Sequence, residues 1–315
     1  MPSGDSLIRP RTLRPGDVIR VVAPASPFRD EDLQAGVSRL ESWGYRVRMR
    51  DDIRSAWHYL AGSPQRRADE LHAAFADPEA AAIVPVRGGY GVTTLLPLLD
   101  AKLVRGNPKI LVGCSDLTAL LQWMLSEAGI VCFHGPMLGA IGRDDDPAGI
   151  ERFRQVLEHA GKPADLRSAF DDAHQWCFAP GVAKGRAMGG SLSLLAALCG
   201  TPLQLDTKGA VLFLEDVGER PYRIDRLLTQ LQHSGLFDAA EAVVLGDFVG
   251  CDEAKGEPTW RDAVDRVFRS LPIPVLAGVP FGHGNPNLLF PLGTRVRVDA
   301  GKGCVEFRES PLVSG

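Results

Sequence analysis

The stretch Ala81-Ala82-Ile83-Val84-Pro85-Val86 decides the fold, because it is rich in β-branched residues and carries no charge. A strand of this composition is typical of a parallel sheet that is buried on both faces. Lys109-Ile110-Leu111-Val112-Gly113 is a similar run, and residues 17–23 form an earlier one. Helical spacing of apolar residues appears between these runs, for example over residues 30–43. The alternation predicts an α/β fold, with a doubly wound, mainly parallel sheet that helices cover on both faces.

The length of the chain predicts more than one domain. At 315 residues it exceeds the usual size of a single hydrophobic core. A polar region that contains the acidic run 144–146 separates the first pattern from a second, more mixed one. We therefore predict an N-terminal α/β domain over residues 1–150, a linker over 151–183, and a mixed α+β domain over 184–315.

Composition and charge exclude several classes of protein. The formal net charge of −4 argues against a nucleic-acid surface, which needs clustered Lys and Arg. No stretch approaches the ~20 apolar residues of a membrane span, and residues 1–20 lack the apolar core of a secretory signal. The six cysteines are scattered without a C-x-x-C pair, which favours reduced thiols over disulfides or zinc. We expect a cytoplasmic protein that binds neither nucleic acid nor membrane.

The first chemical signal is Gly113-Cys114-Ser115-Asp116, which lies between a predicted buried strand and a predicted amphipathic helix. A sharp strand-to-helix turn can expose a serine hydroxyl, and the Asp116 amide could then donate to an oxyanion. Leu117 stands where the G-x-S-x-G pattern has its second glycine. The alternative is that Ser115 or Asp116 only caps the helix.

The second signal is the glycine-rich stretch Val86-Arg87-Gly88-Gly89-Tyr90-Gly91. Three glycines let backbone amides approach a ligand closely. Three interpretations stand: a nucleotide site, although neither G-x-G-x-x-G nor a Walker A motif is present; a tight turn; and an oxyanion-hole loop beside Ser115.

The third signal is Leu212-Phe213-Leu214-Glu215-Asp216, in which carboxylates end an apolar strand. A partly buried carboxylate needs a cationic or N–H partner, and a histidine Nδ1–H is one such partner. The alternative is a surface carboxylate that pairs with Arg220 or Arg223. Asp216 and Glu219 compete with Glu215 for the role.

The fourth signal is Phe281-Gly282-His283-Gly284-Asn285-Pro286-Asn287, a histidine with a glycine on each side. Such neighbours leave an imidazole accessible, which suits a general base. His134 follows a strand of the predicted first sheet, so it is a second candidate for the same crevice. No H-E-x-x-H or paired histidine spacing supports a metal site.

Taken together and in order, these segments resemble the L,D-carboxypeptidase family of serine peptidases, which includes muramoyltetrapeptide carboxypeptidases and microcin C immunity proteins. The resemblance covers nearly the whole chain. One departure is Ser191, where the family more often has Asn. The matching segments are Arg14-Pro15-Gly16-Asp17, Val22-Ala23-Pro24-Ala25-Ser26, residues 87–91, residues 113–118, His134-Gly135-Pro136, Gly189-Gly190, Leu214-Glu215-Asp216, Pro221-Tyr222-Arg223-Ile224-Asp225-Arg226 and Gly282-His283-Gly284.

The resemblance implies a role for each residue of a catalytic triad. Ser115 is the nucleophile, His283 the base and Glu215 the orienting acid, and the backbone amides of Gly89 and Asp116 form the oxyanion hole. It also implies a doubly wound N-terminal domain with a smaller, β-rich C-terminal domain, and a homodimer that needs no cofactor.

The expected activity is removal of the terminal D-alanine from cytoplasmic muropeptide tetrapeptides during peptidoglycan recycling. Arg87 and Tyr90 are candidate contacts to substrate carboxylates, with His134 as a third contact. Two alternatives remain open: a microcin-immunity-type hydrolase of aminoacyl (sulfamoyl) adenylates, in which Trp176 could stack on a base, and a non-catalytic two-domain ligand sensor.

Overall fold

The chain divides into two compact units. The computed structural model describes residues 7–170 and 176–315. The first unit runs up to Gly161 and also contains Leu288–Pro291 and Pro311–Gly315. The second unit comprises Lys162–Asn287 and Leu292–Ser310.

The domain limits predicted from the sequence stay a prediction. Residues 1–6 of the predicted first domain and 171–175 of the predicted linker lie outside the described residues.

Strands and helices alternate through most of the chain. The strands are β1 (Val18–Val22), β2 (Arg46–Arg48), β3 (Ala80–Pro85), β4 (Ile110–Gly113), β5 (Cys132–His134), β6 (Leu166–Arg167), β7 (Cys177–Ala179), β8 (Val182–Ser191), β9 (Ala210–Val217), β10 (Ala240–Val249), β11 (Val275–Leu276), β12 (Phe290–Leu292), β13 (Arg295–Asp299) and β14 (Cys304–Phe307). The α-helices are α1 (Asp30–Ser42), α2 (Pro64–Ala76), α3 (Ala101–Gly106), α4 (Thr118–Trp123), α5 (Leu138–Ile141), α6 (Pro147–Glu158), α7 (Leu192–Leu198), α8 (Pro221–His233) and α9 (Trp260–Phe268). Shorter 3₁₀ segments are Val92–Thr94, Leu96–Leu98, Ser115–Leu117 and Ala300–Lys302, and Met124–Ala128 is π-helical.

The sheet of the first unit has the strand order β12-β5-β4-β3-β1-β2. The pairings from β5 through β4, β3 and β1 to β2 are all parallel. Every residue of β3 is buried, as the uncharged sequence of this stretch predicts. The predicted α/β class with a mainly parallel N-terminal sheet is confirmed.

Local capping signals explain where two of the helices begin. The side chain of Ser63 accepts from the Arg66 N–H at the start of α2, and Pro64 occupies the first helical position. Thr259 and Asp262 form a capping box at the start of α9.

The second unit is built on an eight-stranded mixed sheet with the order β6-β14-β13-β8-β9-β10-β11-β7. Its centre, β8 to β11, is parallel, whereas the strands on either side pair antiparallel. One face of α8 buries Ile224, Leu228 and Leu231, which recur at helical spacing.

The parallel strands determine where the candidate residues lie. The glycine-rich stretch follows β3 and Ser115 follows β4, so both stand at the carboxyl ends of neighbouring strands. In the second unit, Glu215 is near the carboxyl end of β9 and His283 follows β11. Within the described residues, no helix combines the length and apolar character that crossing a bilayer requires.

Candidate active site

The turn at residues 113–118, which we call the serine turn, holds Ser115 in a strained conformation. Ser115 has a φ of 58°, in the left-handed region that a residue with a side chain rarely adopts. The chain leaves β4 through Cys114 in an extended conformation and enters a 3₁₀ segment directly at Ser115. Strain of this kind costs about 1–3 kcal/mol and concentrates at functional sites. The geometry is that of a nucleophile elbow.

Gly113 explains how this elbow forms with Leu117 in place of a second glycine. A Cβ atom at position 113 would lie 2.6 Å from the Leu117 Cβ. The missing side chain of Gly113 therefore leaves the space that Leu117 occupies.

The glycine-rich stretch at residues 87–91, the glycine loop, packs directly against the serine turn. A Cβ at Gly88 would lie 3.0 Å from the Ser115 Cβ, 3.2 Å from its Oγ and 3.4 Å from the Asp116 nitrogen. Gly89 has a φ of 120°, and a Cβ at this position would point at Ser26. The Oγ of Ser26 accepts from the Tyr90 N–H at 3.1 Å. A side chain at position 88 would crowd Ser115, and one at position 89 would collide with the Ser26 side chain, so glycine at both positions allows this close packing.

The side chain of Asp116 ties the two loops together and does not cap the helix. It is 2% exposed, and its Oδ2 accepts from the Val92 N–H at 2.9 Å. Burial raises the pKa of Asp116, although this hydrogen bond and the charge of Arg67 oppose the shift. The interpretation of Asp116 as a helix cap is therefore wrong.

Sequence reasoning missed Arg67, which is fully buried behind the glycine loop. Its guanidinium donates to the carbonyls of Pro24 at 2.7 Å, Gly91 at 2.9 Å and Gly62 at 3.1 Å. Arg67 is one of two adjacent arginines on an amphipathic helix, so nothing in the sequence distinguishes it as an internal residue.

In the second unit, His283 and Glu215 form a short hydrogen bond. The His283 Nδ1 lies 2.6 Å from Oε2 of Glu215, whose side chain is fully buried, while that of His283 is 21% exposed. Burial lowers the pKa of His283, but the hydrogen bond and charge of Glu215 outweigh it and raise that pKa overall. With Nδ1 bound to the carboxylate, Nε2 is the nitrogen that is left to exchange a proton.

The other carboxylates near Glu215 have different partners. Asp216 accepts from the Ser193 N–H at 2.7 Å, and Glu219 lies 2.5 Å from Arg223. Burial raises the pKa of Asp216 to about 6, with the charge of Glu215 contributing. The interpretation of Glu215 as a surface carboxylate is wrong, because its side chain is fully buried and faces His283.

Gly282 allows the backbone next to His283 to contact Glu215. Its φ is 117°, and a Cβ at this position would lie 2.6 Å from Oε2 of Glu215. The Gly282 N–H donates to Oδ1 of Asn287 at 3.2 Å, which closes the histidine loop, residues 281–287.

The three predicted substrate contacts lie in different environments. Arg87 and Tyr90 are exposed, and Tyr90 makes an edge contact with Tyr59 at 5.5 Å between ring centroids. His134 is fully buried and stacks on Phe290 at 5.2 Å. A buried, stacked imidazole does not meet a substrate without rearrangement, so the structure does not favour the predicted contact at His134.

Trp176 packs within the second unit. A Cβ at Gly303 would lie 3.5 Å from two atoms of the Trp176 indole, and the Trp176 carbonyl accepts from the Ala277 N–H at 2.5 Å. Among the described residues, no group of three or more His, Cys, Asp or Glu side chains could hold a metal ion.

A serine on a strained elbow and a histidine held by a buried glutamate are components that serine-type hydrolases use. Comparison with known families agrees with this class. A model of the LD-carboxypeptidase N-terminal domain matches residues 19–135, and a model of the C-terminal domain matches residues 184–298. The chain therefore belongs to the LD-carboxypeptidase family, whose members are serine-type carboxypeptidases.

Individual relatives span almost the whole chain. A Bacillus subtilis (strain 168) protein named "Probable murein peptide carboxypeptidase" is 34% identical over 295 residues, or 92% of this chain and 91% of its own. The crystal structure of a muramoyltetrapeptide carboxypeptidase from Oxalobacter formigenes is 30% identical with a TM-score of 0.80, covering 91% of this chain and 97% of its own. An MccF-like protein from Bacillus anthracis is 28% identical with a TM-score of 0.85, covering 95% and 99%.

Proposed function

We propose that this protein is a serine L,D-carboxypeptidase that removes the terminal D-alanine from muropeptide tetrapeptides during peptidoglycan recycling. The observation that carries the proposal is the 2.6 Å hydrogen bond between His283 and the buried Glu215, in a chain whose Ser115 is strained on an elbow. The murein and muramoyltetrapeptide carboxypeptidases among its relatives support the substrate class. The cytoplasmic location and the homodimer stay predictions.

In the proposed mechanism, Ser115, His283 and Glu215 act as nucleophile, base and orienting acid. The His283 Nε2 takes the Ser115 proton, and Oγ attacks the carbonyl of the L-centre that is joined to D-alanine. The C–N bond then breaks, His283 protonates the departing amine, and D-alanine leaves. Water, activated by the same imidazole, hydrolyses the acyl-enzyme and regenerates Ser115.

We assign the oxyanion hole to the backbone amides of Gly89 and Asp116. The support is the close packing of the glycine loop on the serine turn, where Gly88 approaches both Ser115 and the Asp116 nitrogen. Preorganised N–H donors contribute about 10²- to 10³-fold each to acyl transfer. The Asp116–Val92 hydrogen bond and the buried Arg67 hold this loop, so the donors need not reorganise during the reaction.

Arg87 and Tyr90 are the proposed substrate contacts. Both are exposed in the glycine loop next to the elbow, and no hydrogen bond or ion pair joins the Arg87 side chain to another of the described residues. An exposed guanidinium is suited to bind a carboxylate, and a muropeptide ends in one.

A second candidate function is the hydrolysis of aminoacyl or aminoacyl-sulfamoyl adenylates, as in microcin immunity. Similarity to the MccF-like protein of Bacillus anthracis favours it. The packing of Trp176 against Gly303 gives no support for a nucleotide-stacking role of that side chain.

Mass spectrometry of the protein incubated with a muramoyl tetrapeptide tests the proposal. Wild type is expected to release D-alanine, and Ser115→Ala is expected to lose nearly all of this activity while it remains folded. Ser42→Ala, at the exposed end of α1, is the matched control and should match wild type.

Three outcomes would overturn the proposal. Release of D-alanine by Ser115→Ala at the wild-type rate would remove the nucleophile assignment. If neither protein releases D-alanine and wild type hydrolyses an aminoacyl-sulfamoyl adenosine, the second candidate function is favoured. If wild type binds either compound without turnover, the protein is a sensor.

A further inference from the structure

Asp247 is a third carboxylate at the histidine loop, and the proposed triad leaves it without a role. It lies on β10, next to β9, which carries Glu215. Its backbone N–H donates to the Phe281 carbonyl at 2.9 Å, and its carboxylate accepts from the Gly284 amide. Asp247 therefore holds the histidine loop on both sides of His283, through its main chain and its side chain.

The two glycines that flank His283 each lie against one carboxylate. A Cβ at Gly282 would lie 2.6 Å from Oε2 of Glu215, and a Cβ at Gly284 would lie 2.6 Å from Cγ of Asp247. Each of the three nearest atoms to that second Cβ belongs to the Asp247 side chain. The Gly-His-Gly sequence thus lets two carboxylates approach the loop, one on each side of the imidazole.

The charge of Asp247 acts on His283. Burial, followed by the charge of Glu215, raises the pKa of Asp247 to about 6, while the Gly284 amide and His283 oppose the shift. Among the described residues, its buried Oδ2 has no hydrogen-bond partner. Asp247 is itself one of the charges that raise the pKa of His283.

The charged and titratable groups around this pair come from few elements. β9 contributes Glu215 and Asp216, and the histidine loop contributes His283. The paired residues Val275 and Leu276 of β11 carry no charge. Asp247 is thus one of three carboxylates that act on this imidazole.

We infer that Asp247 is a positioning residue for His283, which anchors the histidine loop through Gly284 and stabilises the imidazolium that forms when Ser115 is deprotonated. This inference rests on the proposed function for its catalytic consequence, but its effect on His283 exists without substrate. Glu215 and Asp247 then together orient His283 and stabilise its imidazolium, a role that a single carboxylate has in most triads.

Asp247→Asn separates the charge from the anchor, because the Asn Oδ1 can still accept from the Gly284 amide. The proton titration of His283 is followed by NMR, with the His283→Gln spectrum used to assign its signal among the seven histidines. We expect the His283 pKa to fall in Asp247→Asn, because the imidazolium loses a negative neighbour. Glu241→Gln, exposed on the same strand, is the control and should leave that pKa unchanged.

The kinetic readout has a defined sign. His283 must be neutral to act as a base, so kcat/KM rises as the pH rises through the His283 pKa. In Asp247→Asn this rising limb should move to lower pH. The kcat/KM plateau at high pH should fall by about tenfold, because the imidazolium loses one stabilising charge interaction. A purely structural role for Asp247 would lower activity without moving the limb.

A His283 pKa in Asp247→Asn equal to that of wild type would overturn the inference. If that variant does not fold, the ¹³C titration of the Asp247 carboxyl in wild type decides instead. We then expect the His283 signal to change at the pH at which the Asp247 carboxyl titrates. If the His283 and Asp247 signals titrate independently, the inference is overturned. Failure of wild type to release D-alanine would overturn the proposed function and leave this titration result standing.

Discussion

The serine turn is held by a left-handed backbone and one buried carboxylate, whereas the histidine loop is held by two carboxylates. Ser115 is held by a left-handed φ and by the close approach of Gly88. The hydrogen bond from the Val92 N–H to the Asp116 side chain stabilises this arrangement. His283 is fixed by Glu215, and Asp247 anchors the loop around it. The first region stores strain in dihedral angles, and the second stores unfavourable energy in buried charge. Changes of pH should therefore act mainly on the histidine loop, and changes of loop geometry mainly on the serine turn.

The largest effect expected is that of Glu215→Gln, which removes the charge that orients His283 and stabilises its protonated form. We expect kcat for tetrapeptide hydrolysis to fall by about 10³- to 10⁴-fold, as when a triad loses its acid. Asp216→Asn is the comparison, because Asp216 accepts from the Ser193 N–H and acts on His283 through its charge alone. A loss in Asp216→Asn as large as that in Glu215→Gln would move the orienting role or divide it between the two.

An intermediate effect is expected when the hydrogen bond between Asp116 and Val92, which stabilises the serine turn, is removed. Asp116→Ala leaves the buried Val92 N–H without its acceptor and removes a charge near the buried Arg67. The free energy of unfolding should fall by about 1–3 kcal/mol, measured by urea denaturation. Asp69→Ala, at an exposed position on α2, should change it by no more than about 0.5 kcal/mol. If Asp116→Ala and wild type have equal free energies of unfolding, the hydrogen bond between Asp116 and Val92 contributes nothing to stability.

A stability effect of similar size concerns the pH dependence of the second unit. The pKa of Asp216 is raised from 3.8 to about 6, so the folded protein keeps this proton at a pH where the unfolded chain has lost it. Its contribution to stability is therefore present below pH 4 and is lost as the pH rises toward 6, by about 1.4 kcal/mol per pH unit at most. Urea denaturation at pH 4, 5, 6 and 7 should show this slope in wild type relative to Asp216→Asn. A difference between the two proteins that does not vary with pH would contradict it.

Elements with a local signal were predictable from the sequence. The helical spacing over residues 30–43 agrees with α1, and β3 is predicted to within one residue because its run has no charge. The amphipathic helix predicted after Asp116 is instead a succession of 3₁₀, α and π segments that begins at Ser115.

The elements that escaped prediction lack such local signals. α6 lies in the region predicted as a linker, because the acidic run before it resembles a loop, although Asp146 caps the helix through the Gly149 N–H. Strands as short as β6 and β11 exist only through pairing with distant segments, which no local pattern reports.

The same distinction applies to the site. Ser115 and His283 lie in glycine-marked segments, and such segments are visible in a sequence. The partners of Asp116 and Asp247 are contacts between segments distant in sequence, Val92 and Gly284, so only the folded chain reveals them. Carboxylate assignments near Glu215 also needed the structure, because three acidic residues within five positions are equivalent in sequence.

The proposed mechanism requires Ser115 and His283 to act in the same reaction, and the double variant Ser115→Ala/His283→Gln tests this requirement most directly. Residual D-alanine release is measured by mass spectrometry for wild type, each single variant and the double variant. Residues that act as a unit are not additive, so the double variant should lose no more activity than the more damaged single variant. A loss in the double variant equal to the product of the two single losses would contradict the account, because it would show that Ser115 and His283 act independently.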